Sequence, residues 1–253
     1  MYDQIAYYYD LTHANLTKDI PFILKLAKEV HSPLLELGCG SGRLLLPLAE
    51  AGFSVTGIDN SEAMLERGRQ KIKQHSPNVQ NRITFMQADM SQFSIEGQSF
   101  GLIFVPYNTF MHLDTKTAVS TLRCVKRCLA ENGRFLIDLA NPFAIANTPE
   151  DQLLSLENHL IDPETGDHIL HMASNKLDEE KQHLHITWIY DRSPAQGGAL
   201  HRTVAQATYH YRYPHQIELL LQDTGYKLNA LWGDYEQSPF NEESQRMIIL
   251  AQV

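Results

Sequence analysis

The feature that most constrains this chain is an apolar segment that runs directly into a glycine-rich loop. The segment 34–37 is followed by glycines at alternate positions, Gly38, Gly40 and Gly42. Glycine adopts backbone conformations that other residues avoid, and it lets the chain approach a ligand closely. Residues 43–51 then predict a helix. The first N–H groups of a helix lack intrahelical partners, so this loop favours a small ligand that carries an anionic or carboxylate group.

A second apolar segment, 53–58, ends in Asp59. A carboxylate at the end of such a strand can accept two hydrogen bonds from a ribose diol, so the pair of features indicates a nucleotide-binding fold. A dinucleotide site of the G-x-G-x-x-G type needs a small residue at its sixth position. Arg43 stands there in this chain, which disfavours a nicotinamide-dependent oxidoreductase.

Short apolar segments alternate with helical ones through the first half of the chain, which predicts a parallel sheet with helices on both faces. The predicted strands of this sheet are 34–37, 54–58, 83–87, 102–105 and 135–139, with two further strands at 228–232 and 246–253. The predicted fold class is therefore α/β, with a Rossmann-like, seven-stranded, doubly wound sheet.

The pattern changes after Pro142. Segments 167–178, 181–192 and 200–213 are longer and alternate between apolar and polar residues, which predicts three antiparallel strands. We therefore expect a Rossmann-like domain of residues 1–148 and 214–253, with residues 149–213 inserted as an antiparallel β lid that also forms a platform for a second substrate. Such a sheet also offers an edge or a face for a homodimer.

Five segments in succession resemble the motifs of the class I S-adenosylmethionine-dependent methyltransferases. They are the glycine loop with Glu36 before it, 58–65, 87–90, 100–113 and 133–139. The resemblance covers roughly residues 30–140, and five motifs in order are far more specific than a glycine loop alone. It implies an enzyme that uses S-adenosyl-L-methionine to methylate an acceptor by in-line displacement.

The resemblance also implies which residues bind the cofactor. Gly38, Gly40 and Gly42 would line its methionine and ribose portions, Asp59 would bind the ribose hydroxyls, and Asp89 would accept from the adenine amino group. The full expected set is Tyr9, Glu36, Gly38, Cys39, Gly40, Gly42, Asp59, Asn60, Met64, Ala88, Asp89, Met90 and Val105.

Several of these residues also have a purely structural interpretation. Asp59 and Asp89 are suited to capping a helix or turn, and Met64 has the helical spacing of a core residue. Glu36 is as well explained by a structural role as by contact with the methionine amino group.

The segment 107–112 resembles the corresponding loop of small-molecule N-methyltransferases, including those acting on amino sugars and glycine. In some of these a histidine at the place of His112 is a general base, and an imidazole titrates in a suitable range. The alternative is that His112 only orders the site. The N-terminal tyrosines resemble a family segment that folds over the cofactor, where Tyr9 or Tyr2 would contact the methionine carboxylate or the acceptor. A helix whose aromatic side chains simply pack is the other interpretation.

The bulk properties narrow the choice of partners. The net charge of −9 argues against nucleic acid or an anionic membrane surface, and no long apolar segment predicts a membrane span or a signal peptide. The three cysteines lack the spacing of a disulfide framework and are expected to be buried and reduced, in the cytoplasm. Histidine pairs at 168/171 and 183/185 lack further ligands, so no metal is expected.

The sequence thus favours a methyltransferase that acts on nitrogen or oxygen of a small molecule. An N-P-P-Y loop, typical of methyltransferases acting on adenine or glutamine nitrogen, is absent, which further disfavours nucleobases. A regulatory protein that binds the cofactor without transferring the methyl group is the alternative, because a glycine loop and Asp59 do not by themselves create an acceptor pocket.

Overall fold

A computed structural model describes residues 1–30, 33–149 and 152–253. The helices are α1 Tyr2–His13, α2 Asp19–Glu29, α3 Leu45–Glu50, α4 Glu62–Ile72, α5 Pro77–Gln80, α6 Thr115–Cys128, α7 Pro142–Ala146 and α8 Pro214–Asp223, with a 3₁₀ helix at Thr109–His112. The strands are β1 Leu34–Leu37, β2 Val55–Asp59, β3 Ile83–Gln87, β4 Phe100–Val105, β5 Leu129–Ala140, β6 Leu154–Ile161, β7 His168–Asp178, β8 His183–Ser193, β9 His201–His210, β10 Lys227–Trp232 and β11 Arg246–Gln252.

Seven strands form the main sheet, in the order β10-β11-β5-β4-β1-β2-β3. Strands β1 to β5 pair in parallel, whereas β11 lies antiparallel between β5 and β10. This arrangement confirms the predicted Rossmann-like, seven-stranded fold. The strand order reverses beside β1, and ligands of such folds bind beyond the carboxyl ends of the strands at this switch point.

The main sheet is buried on both faces because successive residues of its strands alternate between two apolar clusters. Leu34, Leu102 and Leu136 pack with the buried face of α2. Their neighbours pack with α6 on the opposite face, namely Leu35, Ile103 and Phe135. Burying a side chain of this size contributes about 1.5–3 kcal/mol, so this double layer fixes the ends of the strands firmly.

A second, antiparallel sheet follows β5 in the chain, in the order β6-β7-β8-β9. The expectation of three strands is wrong, because Leu154–Ile161 forms a fourth strand along β7. The register shifts between Leu156 and Asn158, so an extra residue interrupts the alternation by which a strand is detected in sequence. Within the part of the chain that the structure describes, no helix is long and apolar enough to cross a membrane.

Helix α1 lies between the two sheets. Its Tyr8 ring stacks on Tyr190 of β8, with ring centroids 4.7 Å apart. On its other side, the Asp3 carboxylate accepts hydrogen bonds from Ser61 Oγ at 2.6 Å and from the Ala63 N–H at 3.2 Å, at the start of α4. The helix therefore spans the gap above the carboxyl ends of the strands.

Candidate functional site

A cavity of about 900 Å³ lies beyond the carboxyl ends of β1, β2, β3 and β4, beneath α1. Its wall is built from the glycine loop, the end of β2, the loops after β3 and β4, and α1. The structure brings almost the whole predicted set to this wall: Tyr9, Glu36, Gly38, Cys39, Gly40, Gly42, Asp59, Asn60, Met64, Ala88, Asp89, Met90 and His112. Val105 differs, because it is fully buried in the core at the end of β4 and is not part of the wall.

The glycine loop needs its glycines for two separate reasons. Gly38, Gly40 and Gly42 have φ angles of 72°, 53° and 81°, a region that favours glycine. A Cβ atom at Gly38 would lie 2.2 Å from Thr109 Cγ2, so the loop after β4 packs directly on this glycine. A Cβ atom at Gly40 would have no neighbour closer than Met64 Sδ at 4.0 Å, and would occupy the cavity instead.

The Asp59 carboxylate links the glycine loop to the end of β2. Its Oδ2 atom accepts from the Gly40 N–H at 2.8 Å, and its Oδ1 atom accepts from the Ser61 N–H at 2.8 Å. Burial raises the pKa of this carboxyl group, whereas these N–H donors lower it. A carboxylate that holds the loop and also faces the cavity is well placed to accept from a ribose hydroxyl.

Glu36 has an unsatisfied atom at this wall. The side chain is 3% exposed, and its Oε2 atom has no hydrogen-bond partner among the described residues. Burial raises the pKa of the carboxyl group well above its ordinary value, and the charge of Arg43 opposes that rise. A buried, unpaired oxygen is costly, and a cationic ammonium group from a ligand would satisfy it. The residues present therefore fit the methionine end of the cofactor.

The adenine end is less distinctive. The Asp89 Oδ1 atom accepts from the N–H and the hydroxyl of Ser91, both at 2.7 Å, so this carboxylate closes a local turn. Met64 is 2% exposed yet contributes to the cavity wall. Both the structural and the binding interpretations of these two residues thus agree with their positions, and the adenine contact remains a prediction.

Charged side chains fasten α1 over the cofactor side of the cavity. Asp10 accepts from Arg67 Nε at 2.6 Å and lies 2.9 Å from Lys71 Nζ, both on α4. It also accepts from the hydroxyl of Ser41 in the glycine loop. Burial alone would raise the pKa of the Asp10 carboxyl group. The contacts with Lys71, Ser41 and Arg67 outweigh burial and bring this pKa below its ordinary value. The ionised carboxylate therefore joins the roof to the loop beneath it.

Aromatic rings surround the other side of the cavity. Tyr9 stacks on His13 with centroids 3.9 Å apart, and His13 meets the edge of Tyr107 at 5.7 Å. Tyr2 lies edge-on to Tyr9 at 5.6 Å. Burial raises the pKa of Tyr2 and Tyr9 well above the ordinary value, so both phenols are neutral. This side of the cavity is apolar at its faces and bears hydroxyl groups at its edges.

His112 ends the 3₁₀ helix after β4 and lies at this aromatic side. Its Nε2 atom is 2.9 Å from the Tyr2 hydroxyl, and its ring meets the edge of Tyr209 with centroids 4.9 Å apart. Burial, followed by the charge of His210, lowers the pKa of His112 to about 4. The imidazole is therefore unprotonated at neutral pH, able to accept a proton but a weaker base than a free imidazole.

Two residues behind this wall, one buried and one partly buried, were missed in the sequence. Asp138 on β5 and Arg246 on β11 form an ion pair beside the loop that carries Tyr107, with Oδ1 of Asp138 2.7 Å from Nη2 of Arg246. A signal for Asp138 does exist, because an acidic residue in the apolar strand 135–139 requires a partner. Nothing local identifies Arg246 as that partner.

The comparisons with known proteins agree with this geometry. A family model described as a methyltransferase domain matches residues 34–133. A putative methyltransferase of Bacillus subtilis, YqeM, is 27% identical over 87% of this chain and 83% of its own. A S-adenosylmethionine-dependent methyltransferase structure from Clostridium acetobutylicum has a TM-score of 0.80 at 18% identity, covering 100% of this chain and 98% of that one.

A third similar protein is CalS10 from Micromonospora echinaspora. It was solved with S-adenosylmethionine and is described as an amino pentose methyltransferase. Its TM-score is 0.66 at 15% identity, over 94% of this chain and 90% of that one. These two structural likenesses concern the fold.

Residues 34–133 thus match a methyltransferase domain, and the fold and the glycine loop with Asp59 resemble those of the class I S-adenosylmethionine-dependent methyltransferases.

Proposed function

We propose that this protein transfers the methyl group of S-adenosylmethionine to a nitrogen or oxygen atom of a small molecule. One observation carries the proposal: a single cavity joins the glycine loop and Asp59 to an aromatic side that contains His112. A regulatory protein that only binds the cofactor would need the first part alone. No comparison supports that alternative.

The cofactor supplies a methyl group on a positively charged sulfur, which is a very good leaving group. The protein therefore has mainly to hold the acceptor atom in line with the methyl group. Holding reacting atoms about 3–3.5 Å apart contributes roughly 7–11 kcal/mol to lowering a barrier. Helix α1 covers part of the cavity, and the pairing of Asp10 with Arg67 and Lys71 holds the helix against α4.

We assign His112 the part of proton acceptor. An amine or alcohol carries a proton that must leave during or after methyl transfer, and the neutral imidazole directs its Nε2 atom to the aromatic side. The Tyr2 hydroxyl occupies this atom in the present structure. An acceptor therefore has to displace or share the Tyr2 hydrogen bond to reach the imidazole.

The acceptor that fits this side is small and lacks strong negative charge. The cations in the cavity wall are already paired: Arg43 with Asp19, and Arg67 and Lys71 with Asp10. The net charge of −9 disfavours nucleic acid. Aromatic rings with hydroxyl edges suit a sugar-like or aromatic amine or alcohol, and the description of CalS10 as an amino pentose methyltransferase agrees with such an acceptor.

The test is a single-turnover assay against a library of amines and alcohols, with S-adenosylhomocysteine as the measured product. We expect one class of small acceptor to yield stoichiometric product. Tight cofactor binding with no product from any acceptor would instead support the regulatory alternative.

We also propose a homodimer through the outer face of the second sheet. A row of directly paired apolar residues crosses all four strands: Leu156, Met172, Ile189 and Val204. Leu156 and Val204 are 62% and 46% exposed. Beside the row, Asp191 is already paired with Arg202, so the face is close to neutral and complements a second copy of itself.

The free, buried cysteines are consistent with a reducing cytoplasm.

A further inference from the structure

The loop after β4 contains two adjacent residues in an unfavourable backbone conformation. Tyr107 and Asn108 have φ angles of 45° and 69°, and neither is a glycine. Left-handed backbone costs energy for residues with a side chain, and it persists only where the surroundings impose it. Groups around the loop therefore hold Tyr107 and Asn108 in this conformation.

Asp138 contacts this loop directly. The side chain is 1% exposed, and its Oδ2 atom accepts from the Tyr107 N–H at 3.1 Å and from the Tyr235 hydroxyl at 3.0 Å. The Asp138 carbonyl oxygen accepts from the Asn108 N–H at 2.9 Å. One residue of β5 therefore binds the backbone N–H groups of both left-handed residues.

Arg246 completes the contact from β11. Its Nε atom donates to Asp138 Oδ1 at 2.8 Å, and its Nη2 atom donates to Asn108 Oδ1 at 3.1 Å. Its guanidinium carbon lies 5.1 Å from the centroid of the Tyr107 ring. Although burial lowers the pKa of Arg246, Asp138 raises it above its ordinary value, so the guanidinium is charged.

These groups do not belong to the cavity wall, but the segment they hold does. Tyr107, Thr109 and His112 line the cavity, and Thr109 packs on Gly38. A change in the backbone at 107–108 would therefore move the proposed proton acceptor and the aromatic side together. It would leave Asp59, which is fixed by its own hydrogen bonds to Gly40 and Ser61, in place.

We propose that the largely buried Asp138–Arg246 pair positions the acceptor side of the cavity, which is its aromatic side with His112, by holding Tyr107 and Asn108 in their left-handed conformation. The proposal rests on the proposed methyl transfer for its effect on turnover. Stability alone is a poor explanation of the pair, since apolar residues of similar volume often stabilise a fold as well as a buried ion pair does. An arginine fits because its forked donors reach Asp138 and Asn108 at once, which a lysine cannot do.

The test compares Asp138→Asn, Arg246→Met and the double variant Asp138→Leu/Arg246→Met with Arg134→Met. Arg134 is the matched control, because it lies on β5 itself and pairs with a carboxylate, that of Glu29, away from the cavity. Four quantities are measured: the melting temperature, S-adenosylhomocysteine affinity by calorimetry, kcat and KM with the acceptor found in the screen, and the His112 titration by NMR.

We expect both single variants to lower kcat by about 100-fold, the effect of misplacing a reacting group by about 1 Å. The double variant should melt at a higher temperature than either single variant, because neither charge is left unpaired, while its kcat stays low. In all three, S-adenosylhomocysteine should bind with an affinity close to that of the wild type. The titration of His112 should move from about 4 towards the ordinary histidine pKa as the loop relaxes. Arg134→Met should match the wild type in each quantity other than melting temperature.

A double variant with both wild-type stability and wild-type kcat would show that the pair is only structural. If the wild-type protein methylates no acceptor, the proposed function is wrong, and this result says nothing about the Asp138–Arg246 pair. The NMR titration then decides the present proposal, because an unchanged His112 titration in the double variant would overturn it.

Discussion

The two sides of the cavity are built in different ways. The cofactor side consists of a short stretch of backbone, with three glycines at positive φ and a carboxylate, Asp59, that binds the glycine loop. The aromatic side, where we propose that the acceptor binds, consists of side chains from distant parts of the chain. Here His112 after β4 contacts both Tyr2 of α1 and Tyr209 of β9. Backbone geometry defines the first side, and tertiary packing defines the second.

This difference determines which residues of the cavity can be substituted and which cannot. Glycine at position 38 is required by the contact with Thr109, so the cofactor side tolerates little change. The aromatic side can change its shape through single substitutions on several elements. One fold can thus retain its cofactor while acting on different acceptors. Variants that affect only one side test this division.

The largest expected effect is on the acceptor side. His112→Gln removes the proposed proton acceptor but retains a group that can form a hydrogen bond with Tyr2. Turnover should fall about 10²–10⁴-fold, the usual contribution of general acid–base catalysis, while S-adenosylhomocysteine binds normally. Kinetics with the screened acceptor and calorimetry measure the two quantities.

The matched control is His171→Gln. Burial also lowers the pKa of His171 to about 4, and its ring stacks on Tyr190, but it does not line the cavity. Turnover in this variant should stay near that of the wild type. Equal losses in the two variants would mean that His112 contributes packing rather than chemistry.

The next effect concerns the cofactor side. Asp59→Ala removes the acceptor of the Gly40 and Ser61 N–H groups, and with it the predicted acceptor of the ribose hydroxyls. Hydrogen bonds to a charged group contribute about 1.5–3 kcal/mol, so the Kd for S-adenosylmethionine should rise about tenfold to 100-fold. Calorimetry measures this directly.

Asp114→Ala is the control for Asp59, because Asp114 also accepts a backbone N–H, that of Thr117, at the start of α6. It lies outside the cavity wall, so its loss should lower stability without changing cofactor affinity. If both variants weaken the cofactor equally, Asp59 acts only through the fold.

A smaller effect concerns pH. His112 has a folded-state pKa of about 4, below the ordinary value of 6.5, so at pH values between these two the unfolded chain binds a proton that the folded chain does not. The contribution of His112 to stability is therefore fully present above about pH 6.5 and is lost as the pH decreases towards 4. Thermal melts across this range should show the fall, and His112→Gln should make it less steep. An unchanged slope in that variant would place the titration elsewhere.

The smallest effect on turnover is expected for substitutions in the second sheet, which lies outside both sides of the cavity. Val204→Lys places a charge in the apolar row of the second sheet, and sedimentation velocity should show a dimer becoming a monomer. Thr187→Lys, on the same face but outside the row, should weaken the dimer less. A wild-type protein that sediments as a monomer would refute this interface.

The sequence predicted the cofactor side because its residues follow strands that can be recognised locally. Asp59 follows a buried strand, and carboxyl ends of parallel strands meet at one edge, so its place needs no knowledge of the rest of the molecule. The strands of the main sheet were predicted for the same reason.

The acceptor side resisted prediction because its contacts join residues that are far apart in the chain. Arg246 meets Asp138 only because β11 runs antiparallel to β5, so that the start of β11 lies at the carboxyl end of β5. Strand β6 was missed since its bulge interrupts the alternation and two of its leucines, Leu154 and Leu156, are exposed. The sequence also gives no sign that Tyr2 would reach His112.

The central claim is that the cavity binds S-adenosylmethionine through the glycine loop and Asp59. The most direct test is a calorimetric titration of the ligand-stripped protein with S-adenosylmethionine. The account predicts one site per chain, weakened in Asp59→Ala and retained in His112→Gln. Absence of binding to the wild-type protein would contradict it.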